Sequence, residues 1–263
     1  ALAIIGKGKF YIDRELVDAE TAFAETGLTP LTLSFKEGLA LINGTAAMNA
    51  ISAFALFGAK KLLNVACVNA AFAIEIFGGI DDAFDPDLHD LKPHPGQVAI
   101  TDTIRRLYEG TRNLTFRNDI HEKIREQSDE DITVFETNIN VQDVYSLRCT
   151  PQVLAPVQET LEAAVKTVET EANSTNDNPI IIPEKEKILH GGNFHGQSIA
   201  FAMDSVSIAL STLCNLSERR LNKLLDKNLN EGLPEHLIAN EPGLSMGFMG
   251  DRKSTRLNSS HYS

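Results

Sequence analysis

The sequence has no tryptophan, few cysteines and fewer basic than acidic side chains. Its three cysteines, Cys67, Cys149 and Cys214, lie too far apart in the chain to match the ligand spacing of a structural metal site. Cys67 and Cys214 occur within apolar stretches, so we expect buried thiols in a reducing cytoplasm. The formal net charge of −12 argues against nucleic acids and anionic membranes. We therefore expect a cytoplasmic protein without a metal, nucleic acid or membrane partner.

Charge is also absent over one long stretch, residues 38–59. A run of this length raises the question of a membrane span. However, Asn43, Thr45 and Asn49 interrupt it, alanine outnumbers leucine and isoleucine, and Lys60 follows directly. A buried helix at the crowded centre of a helical bundle is the better interpretation.

The hydrophobic pattern predicts a mainly α-helical protein, built as a bundle of long helices. Apolar residues recur at helical spacing through residues 45–77 and 197–228, and both segments exceed the usual length of a globular helix. Shorter helices are predicted over residues 17–26, 99–109 and 152–172, a short hairpin strand over 9–13, and a polar, irregular segment over 110–140.

One short motif, residues 142–148, places an amide, a carboxylate, a phenol and a guanidinium within seven positions; the carboxylate is that of Asp143. Gln142, Tyr145 and Arg148 recur every third residue, so on a helical turn they would share a face. That face would offer an amide, a phenol with a titratable proton and a guanidinium that grips carboxylates with two hydrogen bonds. An amino acid or another small carboxylic acid suits this set. The plainer interpretation is a polar surface turn.

Three further polar clusters accompany this motif. They lie at residues 37–45, around Asn43; at 173–179, with the sequence Asn-Ser-Thr-Asn-Asp-Asn-Pro; and at 191–196, with the sequence Gly-Gly-Asn-Phe-His-Gly. In this order and at these spacings, the four motifs resemble those of the histidine/phenylalanine/tyrosine ammonia-lyase family. The resemblance extends over residues 1–250.

The resemblance implies a fold and an assembly. The expected fold is the central helical core shared by ammonia-lyases and fumarase-like proteins, truncated at both ends. It also implies a homotetramer, in which several subunits contribute to each active site.

The resemblance also assigns roles to five residues. Arg148 would bind the carboxylate of the substrate, and Tyr145 would assist proton transfer. The family's electrophile is a methylidene-imidazolone group (MIO). Asn43 would hydrogen-bond this group or the substrate, Gln142 would contact the group, and Phe194 would pack beside it.

Four of these residues also have an ordinary structural interpretation. Asn43 could cap the N-terminus of a helix, Tyr145 could be a buried phenol, and Arg148 could belong to a structural ion pair. Phe194 could be an ordinary residue of the hydrophobic core. The joint pattern of the four motifs favours the functional interpretation of all of them.

Part of the family pattern is missing from these 263 residues. The family forms MIO from an internal Ala-Ser-Gly, and that tripeptide does not occur in this sequence. Residues 1–250 are therefore expected to be a partial ammonia-lyase domain that is inactive by itself. Residues 251–263 depart abruptly from the family pattern and are expected to be a non-native tail.

The choice of substrate stays open between several aromatic amino acids. The segment Gly-Gly-Asn-Phe-His-Gly-Gln at residues 191–197 resembles bacterial histidine ammonia-lyases, which convert L-histidine to trans-urocanate. Residues 247–250, Gly-Phe-Met-Gly, and the long 110–140 segment are closer to tyrosine or phenylalanine ammonia-lyases and the related aminomutases. A different class, a helical homologue without catalytic activity, would lack Ala-Ser-Gly in the full reading frame.

Overall fold

A computed structural model describes residues 1–127, 139–239 and 244–250. The expected tail at 251–263 lies outside the described residues. The chain divides into two compact units. One comprises Ala1–Ala50 with Glu169–Gln197, and the other comprises Ile51–Val168 with Ser198–Ser263.

Helices dominate the described part of the chain. The α-helices are α1 (Ala19–Thr26), α2 (Glu37–Ile42), α3 (Ala46–Ile76), α4 (Pro86–Asp90), α5 (Pro95–Leu107), α6 (Arg117–Gln127), α7 (Tyr145–Arg148), α8 (Thr150–Ala172) and α9 (Gln197–Leu225). The strands are β1 (Lys9–Ile12), β2 (Glu15–Asp18), β3 (Ile180–Ile182) and β4 (Lys187–Leu189). The prediction of a mainly α-helical fold with long helices is confirmed.

The first unit contains two short antiparallel hairpins. In the first, β1 pairs with β2, and Asp13 and Arg14 make the turn with positive φ angles. Helix α1 follows and ends at Gly27, whose φ of 68° is the left-handed conformation that glycine adopts without a steric penalty. The second hairpin pairs β3 with β4. The sequence predicted the first hairpin but not the second, because each strand of the second has only three residues.

The second unit is a bundle of the long helices α3, α5, α8 and α9. Leu63 on α3, Ile100 on α5 and Leu161 on α8 line one cavity of about 320 Å³, so these three helices pack around it. On α8 the buried side chains include Val157, Leu161, Ala164 and Val168. Their three- and four-residue spacing is that of a helix with one apolar face.

Two predicted boundaries need correction. Helix α5 begins at Pro95 rather than at residue 99, because proline fits the first helical position, where its missing N–H would be unpaired anyway. The segment 110–140, predicted to be irregular, contains α6. That helix buries only Ile120, so its sequence shows no apolar stripe. Residues 128–138 of this segment lie outside the described residues.

Helices α3 and α9 present large apolar side chains to solvent in this single chain. By length and composition, Glu37–Ile76 and Gln197–Leu225 could each cross a membrane, and about a third of the most apolar window of each is buried. Phe54, for example, is 80% exposed, and Ile208 is 70% exposed. Exposed apolar patches of this kind mark contacts with another protein or with a lipid surface.

Candidate active site

The motif at 142–148 folds into a single turn of helix preceded by extended chain. Helix α7 begins at Tyr145, because Val144 before it has an extended backbone with φ −62° and ψ 154°. Gln142 therefore does not lie on the helical turn, and the prediction that it shares a face with the other two residues is wrong. Tyr145 and Arg148 do share a face, since the guanidinium carbon of Arg148 lies 4.5 Å from the centre of the Tyr145 ring.

Arg148 is held in a way that leaves most of its donors unused. Its Nε donates a hydrogen bond to the main-chain oxygen of Asp143 at 2.8 Å. Within the described residues, its two terminal nitrogens have no hydrogen-bond partner and it forms no ion pair. The structural ion pair considered for Arg148 is therefore not found there, and the planar fork is free to grip an anion.

The side chains of Gln142 and Arg148 border the same cavity, which measures about 590 Å³. Arg117 and Gln152 also line it, and Arg117 is paired with the carboxylate of Asp82. The exposed amide of Gln142 has no hydrogen-bond partner in the described part of the chain. The lining of the cavity thus offers an unused amide and an unused guanidinium fork.

Tyr145 is 72% exposed, and its hydroxyl bonds to no described residue. The interpretation as a buried phenol is therefore wrong. Its ring supports the Arg148 guanidinium, and its hydroxyl is accessible for proton transfer.

Asp143 fixes the extended chain that leads into α7. Its Oδ2 accepts a hydrogen bond from the main-chain N–H of Ile80 at 2.7 Å. Burial raises the pKa of this carboxyl, and the Ile80 N–H opposes the rise. The side chain of Asp143 therefore holds in place the main-chain oxygen that accepts the hydrogen bond from Arg148.

Helix α7 is supported by Arg220, a residue that the sequence did not assign to the site. Arg220 on α9 is 6% exposed and donates hydrogen bonds to the main-chain oxygen of Ser146 and the hydroxyl of Thr150. Glu218 pairs with its neighbour Arg219, and Arg220 has no carboxylate partner among the described residues.

In the first unit, Asn43 lies at the C-terminus of α2. Its main-chain N–H donates to the oxygen of Leu39 at 2.8 Å, so the predicted alternative of a helix N-cap is wrong. Its side-chain Nδ2 donates to Oδ1 of Asp177 at 3.1 Å. The remaining amide hydrogen and Oδ1 of Asn43 have no partner among the described residues.

Three of the four polar motifs meet in this unit. Asp177 contacts Asn43, the neighbouring Asn178 accepts a hydrogen bond from the N–H of Gly191 at 2.9 Å, and Asn193 donates to the oxygen of Thr175 at 3.4 Å. The segment 175–178 thus joins Asn43 to the glycine-rich turn. Phe194 sits in that turn and is 42% exposed, so it is not an ordinary residue of the hydrophobic core.

The structure gathers the five predicted residues into two groups. Asn43 and Phe194 belong to the first unit, and Gln142, Tyr145 and Arg148 belong to the second. The first group offers a neutral amide and an aromatic ring. The second offers an amide, a phenol and a guanidinium. No described cluster of three His, Cys, Asp or Glu side chains has an arrangement that could hold a metal ion.

Comparison with known proteins places this geometry in context. A family model described as aromatic amino acid lyase matches residues 1–256. The tyrosine 2,3-aminomutase of Myxococcus fulvus is 42% identical over 250 residues, which cover 95% of this chain and 48% of that protein. The histidine ammonia-lyase of Treponema denticola is 39% identical over 249 residues, which cover 95% of this chain and 45% of that protein.

A solved structure gives the same result. The tyrosine aminomutase of Streptomyces globisporus superposes with a TM-score of 0.92 at 37% identity, covering 99% of this chain and 50% of that one. Proteins named for histidine, tyrosine and phenylalanine all occur among the relatives. The chain spans about half the length of the curated relatives it matches.

Proposed function

The chain belongs to the aromatic amino acid lyase family, and we propose on that premise that the full-length protein eliminates ammonia from an aromatic L-amino acid. The proposed substrate is L-histidine, and trans-urocanate is the product. The segment at residues 191–197, which resembles that of bacterial histidine ammonia-lyases, supports this choice.

The observation that carries the proposal is the unused fork of Arg148. A guanidinium with free terminal nitrogens, held at its Nε and supported by an aromatic ring, is arranged to receive a carboxylate through two parallel hydrogen bonds. Every aromatic amino acid carries such a carboxylate. The 590 Å³ cavity beside Arg148 lies within the size range of small-molecule sites.

The family is MIO-dependent, as the name of one relative, the MIO-dependent tyrosine 2,3-aminomutase of Streptomyces globisporus, records. Three residues of this chain fit such a group in their chemistry. Asn43 and Gln142 have amide hydrogens and oxygens without partners among the described residues, and Phe194 has a half-exposed ring. Each of them could offer the neutral, polar group a hydrogen bond or a ring contact. The group supplies the electrophile that activates the amino acid.

The remaining chemistry belongs to side chains of this chain. Arg148 fixes the substrate through its carboxylate, which orients the β-carbon. The exposed hydroxyl of Tyr145 is the group proposed to carry a proton to or from the reacting molecule. Asn43 is proposed to donate a hydrogen bond where negative charge develops, which an uncharged amide can do without adding charge to the site.

A second candidate is a tyrosine-specific activity, either ammonia-lyase or 2,3-aminomutase. The 42% identity to a tyrosine 2,3-aminomutase favours it, compared with 39% to a histidine ammonia-lyase.

We further propose a cytoplasmic homotetramer. The exposed apolar side chains of α3 and α9 support subunit contacts along those helices.

The test is an assay of the purified full-length protein with L-histidine, L-tyrosine and L-phenylalanine. Absorbance follows urocanate, coumarate and cinnamate, and chromatography detects a β-amino acid. Urocanate alone supports the proposal, coumarate or β-tyrosine supports the second candidate, and no product from any of them favours a non-catalytic homologue. The 263-residue chain by itself, which contains no Ala-Ser-Gly, is expected to be inactive.

A further inference from the structure

Asp177 contacts the side chain of a proposed catalytic residue, although it has no proposed catalytic role of its own. Its Oδ1 accepts from Nδ2 of Asn43 at 3.1 Å and from its neighbour's main-chain N–H, that of Asn178, at 2.7 Å. Its other oxygen, Oδ2, is paired with the ammonium of Lys36. The sequence alone indicates no more than a turn residue at this position.

The contact decides which way the Asn43 amide faces. An ionised carboxylate has no proton to donate, so only the NH₂ side of an amide can bond to it. The NH₂ group of Asn43 therefore faces Asp177, and Oδ1 points elsewhere. One amide hydrogen and Oδ1 stay without a partner in the described residues. Asp177 thus leaves one donor and one acceptor of Asn43 available in fixed directions.

The surroundings of Asp177 keep it in the ionised form that this role requires. The ammonium of Lys36, then the N–H of Asn178 and the amide of Asn43, hold the pKa of Asp177 below its usual range. The side chains of Asp177 and Lys36 are 14% and 26% exposed. The carboxylate is thus ionised at every pH at which an amino acid lyase would be assayed.

The backbone around Asn43 is held by the same segment of the chain. Gly44 has a φ of +101°, and a Cβ at this position would lie 2.9 Å from the main-chain oxygen of Asn176. The Thr45 hydroxyl donates to Glu171 at 2.6 Å and also bonds to Asn176. Main chain and side chain of the 43–45 turn are therefore both fixed by residues 171–177.

We propose that Asp177 is a positioning residue, which orients the Asn43 amide so that its free N–H and Oδ1 face the prosthetic group or the substrate. The proposal rests on the proposed function, because that function gives Asn43 its role at the reacting centre. Asp177 itself touches neither the prosthetic group nor the substrate in this proposal. Its effect on the reaction passes through Asn43.

A double-mutant cycle in the full-length enzyme tests this route. Asp177→Ala is expected to lower kcat about 10–100-fold with a smaller effect on KM, as losses of supporting contacts do. In an Asn43→Ala background, Asp177→Ala should lower kcat no further, because there is no amide left to orient. An equal fall in both backgrounds would show that Asp177 acts only on the fold and would overturn the proposal.

The chain offers a matched control. Asp226 also accepts hydrogen bonds at its Oδ1 from the main-chain N–H and the Nδ2 of an asparagine, Asn228, at 3.0 and 3.2 Å. It lies in the second unit, after α9, and belongs to no proposed site. Asp226→Ala is expected to leave kcat unchanged. If Asp177→Ala does not fold, Asp177→Asn replaces it, because an amide can present either its oxygen or its NH₂ group and therefore no longer dictates which side of the Asn43 amide faces it.

A crystal structure of the Asp177 variant provides a readout that does not depend on turnover. The Asn43 amide is expected to rotate or to take more than one orientation once the carboxylate, which can only accept hydrogen bonds, is gone. An unchanged Asn43 side chain would overturn the proposal. Absence of turnover in the wild-type protein would instead refute the proposed function, and the crystal structures would still decide the role of Asp177.

Discussion

The guanidinium of Arg220 donates from Nε to the main-chain oxygen of Ser146 at 2.8 Å, across 74 positions of the chain. Its Nη2 donates to the hydroxyl of Thr150 at 2.5 Å, and that hydroxyl donates to the oxygen of Leu147 at 2.7 Å. Arg220 therefore satisfies, directly and through Thr150, main-chain oxygens of the helical turn that carries Arg148. Burial lowers the pKa of Arg220 to about 10.

Replacement of Arg220 should destabilise the protein through this turn. Arg220→Met leaves the oxygen of Ser146 and the hydroxyl of Thr150 without their donor in a buried place, which we expect to cost about 2–4 kcal/mol. Arg220→Lys keeps the charge but not the two-pronged geometry, so it should recover part of the loss. Urea unfolding of the full-length protein measures both.

Arg106 provides the control for Arg220. Its Nε also donates to a main-chain oxygen, that of Asp102 at 3.3 Å, but the contact is exposed to solvent. Arg106→Met should change the free energy of unfolding by no more than about 0.5 kcal/mol. Equal losses for Arg220→Met and Arg106→Met would contradict the supporting role of Arg220.

Arg148 should be needed for recognition of the carboxylate. Arg148→Ala is expected to cost about 2–4 kcal/mol of transition-state stabilisation, measured as kcat/KM of the full-length enzyme. Arg148→Lys should recover only part of this, because lysine lacks the planar fork. The alanine variant should also lose the preference for the amino acid over its decarboxylated amine, since the amine makes no contact with Arg148. Near-normal kcat/KM in the alanine variant would make Arg148 an ordinary structural arginine.

Most carboxylates make a protein more stable as pH rises. Asp143 should instead lower the free energy of unfolding as pH rises. Because its folded pKa is raised by burial, the native state binds the proton more tightly than the unfolded state does. The wild-type protein should therefore lose stability as pH rises from about 4, the unfolded value, through the raised folded pKa. Asp143→Asn keeps an acceptor for Ile80 and removes the titration.

Urea unfolding of wild type and Asp143→Asn at several pH values tests this expectation. The variant should be as stable as the wild type below about pH 4 and more stable above the folded pKa. A difference that does not change with pH would show that the Asp143 carboxyl titrates alike in both states.

Local patterns in the sequence predicted the long helices well, because helical periodicity is repeated many times along them. The same patterns failed where a single residue determines the local backbone conformation. Val144 adopts an extended backbone before α7, and this takes Gln142 off the helical turn. Helix α6 escaped prediction because only Ile120 of its eleven residues is buried.

Contacts between distant parts of the chain could not be predicted from spacing. Asn43 and Asp177 are 134 positions apart, and nothing in either neighbourhood indicates the partner. Arg220 lies beside Arg219 in the sequence, yet one is buried under α7 and the other is largely exposed. The resemblance to a family assigned roles to residues that are proposed to face a substrate. It gave no sign of the residues that hold them in place.

Assembly into a tetramer should depend on the exposed apolar side of α3. Phe54 is 80% exposed in the single chain, and burial of such a ring in a subunit contact would stabilise the assembly by about 2 kcal/mol at each contact. Phe54→Glu removes this gain and places a charge in the contact. Sedimentation of the full-length protein at micromolar concentration should then show smaller species, whereas the wild type is expected to sediment as a tetramer. Leu91, which is 86% exposed and lies outside α3 and α9, supplies the matched control, and Leu91→Glu should remain tetrameric. A wild-type protein that sediments as a stable monomer, or equal behaviour of the two variants, would contradict the assignment of α3 to a subunit contact.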